Sequence, residues 1–547
     1  MESFSLNLSL DYQDEGCLPQ VEDVDQWMTV LDVERPIQLA AGLLPVQQLG
    51  WKAASEAYHH LIPSAKSFLI ESKTQVLQQQ HLQNPPSCVD PAKLNTDQRT
   101  VYNSVLDHMN SADNRPLHAL VLGTAGTGKS YLIHCLEQIL SAQCMVLAPT
   151  GVAALNINGQ TIHSFFQFAK FTQVNELWGT SLQTLQDKCE SLKYIIIDEL
   201  SMVSNKLLYA IDQRLRPAFP KHSDAFFGAC SVIMFGDFGQ LPPVGDSRMF
   251  MRSDKNEHTL HGFAAFRQFN TVYHLKQCVR QADDHGFREL LLRLRDGNNT
   301  FDDYELLSKR FRGSVTGDMT LFVDAIHLFP THEKVDDYNS EKLLQLRQLV
   351  ANIEASHNCV KAKQAISNIA CGLQRFLSLS EGCKVMLRAN LWVAKGLVNG
   401  SIGHVMHIIY SENGPPSLPS VVICNFPGYT GPSFLPDHPH SFPIVPIQRI
   451  WHDKSTVCSR TALPLSLAWA LTIHKSQGLT LPQAAVDIGD HEVSAGISFV
   501  ALSRVRRLEN LVLSPFSMDC LISLSRNQQI RDRKAEESRL LSLKSST

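Results

Sequence analysis

A chain of 547 residues is too long for a single hydrophobic core, so several domains are expected. Its 44% hydrophobic and 19% charged content is that of an ordinary soluble globular protein, and no run approaches the roughly 18 apolar residues of a membrane span. A net charge of −4 excludes a broadly basic face for nucleic acid, so any such site has to be a local groove.

Met1-Glu-Ser-Phe-Ser-Leu lacks the basic start and apolar core of a signal peptide. Residues 1–90 open acidic (Asp11, Asp14, Glu15, Glu22, Asp23, Asp25) and end in a Gln- and Pro-rich stretch, 75–87, that reads as a linker. Trp27, Leu31, Trp51 and Tyr58 suggest a small helical element there, without chemistry of its own. From Leu94 to about Val272, apolar strands (118–122, 144–148, 194–198, 231–236) alternate with helical stretches, which predicts a parallel sheet with crossover helices. A second alternating block runs from about 273 to 340 and returns at about 464–515. Between them, residues 384–450 are rich in Val, Ile, Gly and Pro, with a Gly414-Pro-Pro416 turn, and read as a small inserted β-barrel. The tail Arg531-Asp-Arg-Lys-Ala-Glu-Glu537 reads as a solvated helix face or a disordered end. Thirteen cysteines lie scattered without a C-x-x-C pair, which argues for reduced thiols in the cytosol or nucleus and against zinc ribbons.

Gly123-Thr124-Ala125-Gly126-Thr127-Gly128-Lys129-Ser130 matches G-x-x-x-x-G-K-[ST] at every fixed position. The glycines let backbone N–H groups cradle phosphates, Lys129 reaches the β- and γ-phosphates, and the Ser130 hydroxyl ligates magnesium. The strand before the loop and the helix after it, whose N-terminus faces the anion, complete a nucleoside triphosphate site. Tyr194-Ile-Ile-Ile-Asp198-Glu199 is an apolar strand delivering two carboxylates at its end. In a P-loop fold that is the second magnesium contact, with Asp198 on the metal and Glu199 polarising the attacking water.

The following segments are more specific. They are Glu199-Leu-Ser-Met202, Ile211-Asp-Gln-Arg-Leu-Arg216, Phe227-Gly228 and Ser231-Val-Ile-Met-Phe-Gly-Asp237-Phe-Gly-Gln240-Leu-Pro-Pro-Val244. They resemble the superfamily 1B DNA helicases of the petite-integration-frequency (PIF) type, relatives of RecD. Further motifs fall in the family's order across about 90–515. Leu94-Asn-Thr-Asp-Gln98 resembles the adenine-reading motif, with Thr96 a helix N-cap. Ala148-Pro-Thr150-Gly151-Val-Ala-Ala154 and Thr161-Ile-His163-Ser-Phe165-Phe166 resemble motifs touching single-stranded DNA. Leu275-Lys-Gln-Cys-Val-Arg280-Gln281 resembles the motif with a phosphate-sensing arginine. Lys384-Val-Met-Leu387 and Gly396-Leu-Val-Asn-Gly400 resemble the entry to the barrel. Leu471-Thr-Ile-His474-Lys475-Ser476-Gln477-Gly478 and Phe499-Val-Ala-Leu-Ser-Arg504 resemble the last two motifs.

The resemblance implies an α/β fold of two RecA-like P-loop parallel-sheet domains, a small inserted β-barrel and a short wedge insertion. The expected layout is residues 1–90 of unknown role, a first RecA-like domain at 91–272 with the wedge at about 167–190, and a second at 273–383 and 464–518. The barrel would occupy 384–463 and a tail 519–547. ATP and magnesium are the implied cofactors. Lys129, Glu199 and Gln240 would act in catalysis with Arg280 and Arg504 as arginine fingers. Gln98 and Gly478 would join the loop in nucleotide binding. Thr150, Gly151, His163, Phe165, His474, Lys475 and Ser476 would grip DNA. Core packing competes for Phe165 and Phe166, and His474 reads equally as a core histidine.

The resemblance further implies an ATP-dependent helicase moving 5′→3′ on single-stranded and forked DNA in the nucleus, in repair, recombination or telomere maintenance. Three departures stand out: Ala229-Cys230 after Phe227-Gly228, Gly239 beside Gln240, and a wedge segment short of aromatics. The short wedge, Gly239 and the uninformative N-terminal 90 residues motivate a second reading, a DNA-stimulated ATPase of transposon-derived or degenerate type that binds DNA without efficient unwinding. A third is a nucleotide-gated interaction module, against which the DNA-contact motifs in both domains argue.

Overall fold

The computed structural model describes residues 51, 54–81, 89–111, 115–168, 177–243, 245–253, 256–278, 284–315, 322–367, 369–370, 372–411, 413–453, 456–489 and 495–543. They fall into two compact units. One takes 85–166, 172–330 and 471–547; the other takes 167–171 and 331–470 together with the N-terminal segment that carries helix α1 (Leu61–His81).

In the first unit, α2 (Thr96–Asn110) leads to β1 (His118–Gly123), α3 (Lys129–Leu140), β2 (Cys144–Ala148), β3 (Gln160–Thr161), β4 (Tyr194–Ile197), α4 (Asn205–Ala218), β5 (Ser231–Gly236) and β6 (Thr271–Leu275). The six strands pair in the order β3-β2-β4-β5-β1-β6, all parallel. β1, β4 and β5 are buried at every position, as expected of near-continuous apolar runs covered on both faces. Helix α5 (His285–Asp296) follows, and β7 (Ile326–Phe329), β8 (Ala484–Val486) and β9 (Leu511–Leu513) pair in parallel in a second sheet. α6 (Met518–Arg526) and α7 (Gln528–Ser542) follow; of the two readings of 531–537, the helix is the one found, though it buries Arg533. α6 buries Cys520, Leu521 and Leu524, and α7 buries Ile530, Arg533 and Leu540.

The second unit is antiparallel. Five strands order as 441–444, 421–425, 402–409, 384–387 and 465–467, a ladder with open ends where a small barrel was expected. Residues 331–383, expected in the second α/β domain, lie in this unit. Ala351–Glu354 alternates buried and half-buried positions and pairs antiparallel with Phe376–Leu379, a pattern foreign to a parallel sheet. The N-terminal segment joins the same core. Trp51 and Leu69 are each 2% exposed within it, and Phe68 meets Phe434 and Phe442 edge-on at 5.5 and 5.8 Å. Residues 75–81 of the expected linker are helical, and Trp27 and Leu31 lie outside the described residues.

Of the expected wedge, 169–176 lie outside the described residues. Gly179–Cys189 is a helix of the first unit that buries Leu185 and Cys189 and donates from Gln186 Nε2 to Pro217 O. Among the described residues, no helix is long and apolar enough to cross a membrane.

Candidate nucleotide site

β4, β5 and β1 are adjacent and parallel, so the loops leaving their carboxyl ends gather at one edge of the sheet, where open α/β folds bind ligands. Those loops are Asp198-Glu199, Asp237–Gln240 and Gly123–Ser130.

The phosphate loop turns on Gly126 and Gly128, at φ 85° and 76°. Gly128 also caps α3, and a Cβ there would lie 2.5 Å from Gln98 Nε2, so both backbone and space demand glycine. Lys129 Nζ donates to Gly123 O at 2.7 Å and Thr124 O at 3.0 Å. Thr127 is buried, its hydroxyl bonded to Thr124 O. Ser130 sits in the first turn of α3, and Ala125 O receives the Cys278 thiol at 3.6 Å.

Gln98 is held by this loop. Its Nε2 donates to Thr127 O (3.1 Å) and Gly128 O (3.3 Å), while its Oε1 accepts from Asn95 N. Asn95, rather than Thr96, is the N-cap of α2, and Gln98 completes a capping box with it. In this structure the amide braces the loop instead of standing open to a base.

Asp198 is 6% exposed and accepts from Glu199 N at 2.9 Å. Burial, with the Glu199 carboxylate beside it, pushes its pKa up to about 7 despite the opposing pull of Lys129. A hard divalent cation relieves such a buried acid pair. One carboxylate and one hydroxyl, leaving room for water and phosphate, is a donor set that fits magnesium, so Ser130 and Asp198 are suited to hold it. Glu199 takes the left-handed conformation (φ 54°, ψ 50°), which swings its side chain off the strand direction. A Cβ on Gly236 would sit 2.8 Å from Leu200 N, so β5 ends on the residue that lets this turn pass.

Gln477 joins the two acidic loops. It is 5% exposed, and its Nε2 donates to Gln240 Oε1 (3.2 Å), Ser201 Oγ (3.3 Å) and Glu199 Oε2 (3.4 Å). Three acceptors around one nitrogen fix the orientation of that amide. Gln240 is itself 4% exposed, with its N bonded to Asp237 O. Asp237 accepts from Gly239 N and from Arg295. Burial alone would raise the Asp237 carboxyl, but the Arg295 guanidinium holds it below the usual range.

Gly239 is explained by space rather than backbone freedom: a Cβ there would lie 2.3 Å from Arg295 Nε and 2.6 Å from Arg533 NH1. The sequence reading missed Gln477, Asp237, Arg295 and Arg533 as site residues. Gln477 lies inside a quoted motif, but a glutamine between small residues carries no chemical signal of its own.

Arg504 is 2% exposed, its guanidinium donating to Val500 O, Ser476 O, Leu479 O and Ser503 Oγ. Arg280 lies outside the described residues. Gly478, at φ 83°, accepts from Asn156 Nδ2.

The residues assigned to DNA divide. Thr150 Oγ1 accepts from Ala153 N at the start of the short helix Gly151–Asn156. His163, His474 and Lys475 are half-buried, and burial lowers the His474 pKa. Phe165 and Phe166 are core residues, 1% and 0% exposed and edge-to-face at 4.9 Å, so stacking on bases is not what this structure offers them. Ser476 is 0% exposed with its hydroxyl on Ile473 O, which removes it as an open phosphate contact.

Of the signature segments, 211–216 and Phe227-Gly228 serve the architecture. Asp212 is fully buried and accepts from Phe227 N (2.6 Å), Arg216 Nε (2.7 Å) and His261 Nε2 (2.7 Å). Arg214 Nε donates to Phe166 O.

Residues 93–305 match the family model described as PIF1-like helicase. The ATP-dependent DNA helicase PIF1 of Xenopus laevis is 31% identical over 430 residues, covering 78% of this chain and 62% of that protein. A solved structure described as DNA unwinding at forked dsDNA by two coordinating Pif1 helicases is 27% identical, with a TM-score of 0.62 over 82% of this chain and 98% of that one. A Pif1 helicase from Bacteroides in complex with ADP-AlF3 and ssDNA is 26% identical, with a TM-score of 0.61 over 81% and 97%. The chain thus spans less than two thirds of the curated relatives' length, 62% in Xenopus laevis and 63% in Danio rerio.

Proposed function

We propose that this chain is a PIF1-like helicase, an ATP-dependent DNA helicase coupling hydrolysis to 5′→3′ movement on single-stranded DNA and to duplex unwinding. The observation that carries the proposal is the node at the sheet edge, where Gln477 bonds Glu199, Gln240 and Ser201 while Lys129 lies close enough to bias both Asp198 and Asp237.

Each part has a role in phosphoryl transfer. The loop's N–H groups and Lys129 bind the β- and γ-phosphates. Ser130 and Asp198 would hold magnesium, whose charge would neutralise that on the phosphate oxygens. Glu199 orients and polarises the attacking water. Gln477 Oε1 is buried without a hydrogen-bond partner among the described residues and is an acceptor for that water. Gln240 contacts the γ-phosphate, and Arg280 and Arg504 supply the positive charge that stabilises the transition state. His163, His474, Lys475, Thr150 and Gly151 are the remaining contacts to single-stranded DNA. The likeness to PIF1 helicases is the ground for proposing the nucleus and a part in repair, recombination or telomere maintenance.

The alternative, an ATPase that binds DNA without unwinding it, loses one motive: Gly239 fits the two arginines packed on it and does not loosen Gln240. The test is ATP hydrolysis with and without single-stranded DNA, alongside unwinding of a duplex with a 5′ tail. DNA-stimulated hydrolysis with strand separation is expected. Stimulated hydrolysis without separation would favour the alternative, and hydrolysis indifferent to DNA would overturn both.

A further inference from the structure

The Gln240 loop is tied to the last helix of the chain. Asp237, which opens that loop, is 2% exposed and receives Arg295 Nε at 2.9 Å and Arg295 NH2 at 2.5 Å. Arg295 lies in the last turn of α5 and is shared: NH2 also donates to Glu537 of α7, and NH1 to Asp296. Arg533, one turn before Glu537, donates to Arg295 O (3.0 Å) and Asp296 Oδ1 (2.9 Å), with NH1 3.7 Å from Glu537. Both guanidinium groups press on Gly239, the residue next to Gln240. The strap has a second fastening, as Arg248 NH1 donates to Gln529 O at 3.0 Å.

Three carboxylates and two guanidinium groups thus form a chain from α7 to the peptide before Gln240. The Nε and NH2 fork of Arg295 on Asp237 fixes direction as well as distance, because the donor pair matches one carboxylate. The arrangement is costly unless it serves geometry, since removing one member leaves a buried partner uncompensated. A helix held only to cover apolar surface has no need of it.

We propose that α7 is a positioning element for hydrolysis: Glu537 and Arg533, acting through Arg295 and Asp237, set the Gly239–Gln240 peptide against the γ-phosphate. This rests on the role given to Gln240 above. Both residues lie on α7 and belong to neither the phosphate loop nor the Asp198-Glu199 loop, so the strap governs turnover and not ATP affinity. Anything that displaces α7 slows the cycle with nucleotide still bound.

The test uses the full chain with single-stranded DNA at saturation. Glu537→Gln removes the carboxylate charge that faces Arg295, with little change in shape. It is expected to lower kcat about tenfold, with KM and affinity for a non-hydrolysable ATP analogue within about twofold of wild type. Arg533→Lys keeps the charge without the fork and should retain more activity than Arg533→Met. Arg531→Ala, exposed on the same helix, is expected to match wild type. If Arg533→Met does not fold, Glu537→Gln decides alone. A wild-type kcat in Glu537→Gln overturns the proposal, as does a fall of kcat, analogue affinity and melting temperature together, which marks a purely structural strap. A wild-type chain that hydrolyses no ATP overturns the functional reading, and this proposal with it.

Discussion

Glu199 carries a backbone conformation that costs a non-glycine residue roughly 1 kcal/mol or more, and the carboxylate it aims lies beside Asp198 and under Gln477. Strain of that kind persists where surrounding contacts over-determine it. Glu199→Gln keeps the shape and loses the base, so hydrolysis should fall by about 10³ while nucleotide stays bound. Lys129→Ala should lose both, because the ammonium serves the phosphates in the ground state as well. Steady-state hydrolysis and analogue binding, measured on each variant, separate the two outcomes; equal loss of binding in Glu199→Gln would remove it from the role of base. At this scale the sequence was most readable where spacing is fixed by the ligand, as in Gly123–Ser130 and Asp198-Glu199. It was least readable where a polar residue works by meeting another far along the chain. Gln477 reaches Glu199 across 278 positions, and no local pattern encodes that. Phe165 and Ser476 mislead for the opposite reason: their side chains resemble DNA contacts in type, yet both are spent on packing.

The elements around the site show the same division. β1, β2, β4 and β5 coincide with their apolar runs to within a residue, since a strand buried on both faces leaves little choice of composition. The turn after α4 was not legible. There Phe227, Gly228 and Ala229 all have positive φ, at 55°, 60° and 58°, and Asp212 holds the first of them. Ala229 occupies a left-handed position where glycine is relaxed, so Ala229→Gly should raise stability by about 0.5–1 kcal/mol, read as a higher denaturant midpoint. A neutral or negative change would mean that the neighbouring packing, and not the backbone, sets the cost. Asp212 acts in the other direction. Burial by itself would raise its pKa, but the bonds from His261, Phe227 N–H and Arg216 outweigh it, and the carboxyl titrates below 3.8. A depressed acid contributes stability that is fully present above its unfolded pKa and is lost as pH falls through its folded one. Asp212→Asn should therefore cost about 2 kcal/mol at neutral pH, and the gap to wild type should narrow below pH 3.8, which urea unfolding across pH would register.

The antiparallel unit shows what composition along the chain conceals. Residues 384–450 announce strands through Val and Ile, but nothing in residues 51–81 announces that they complete the same core, because the contacts are some 350 positions apart. Tyr410 N donates to Ser55 Oγ, Tyr58 stacks on His407 at 4.0 Å, and Trp51 meets the Tyr410 ring at 5.9 Å. Polar, aromatic and apolar contacts agree, so the segment is a structural part of the unit and not a tether. Leu69, 2% exposed in that core, is the cleanest probe of it. Leu69→Ala deletes buried carbon without touching a hydrogen bond and should destabilise the unit by about 2–5 kcal/mol, the range for a large-to-small core substitution. The loss belongs to the strands from 351 to 467, so amide hydrogen exchange should quicken there by about 1.5 to 3.5 powers of ten, at roughly 1.4 kcal/mol for each. Unchanged protection across those strands would show that α1 lies on the unit without stabilising it.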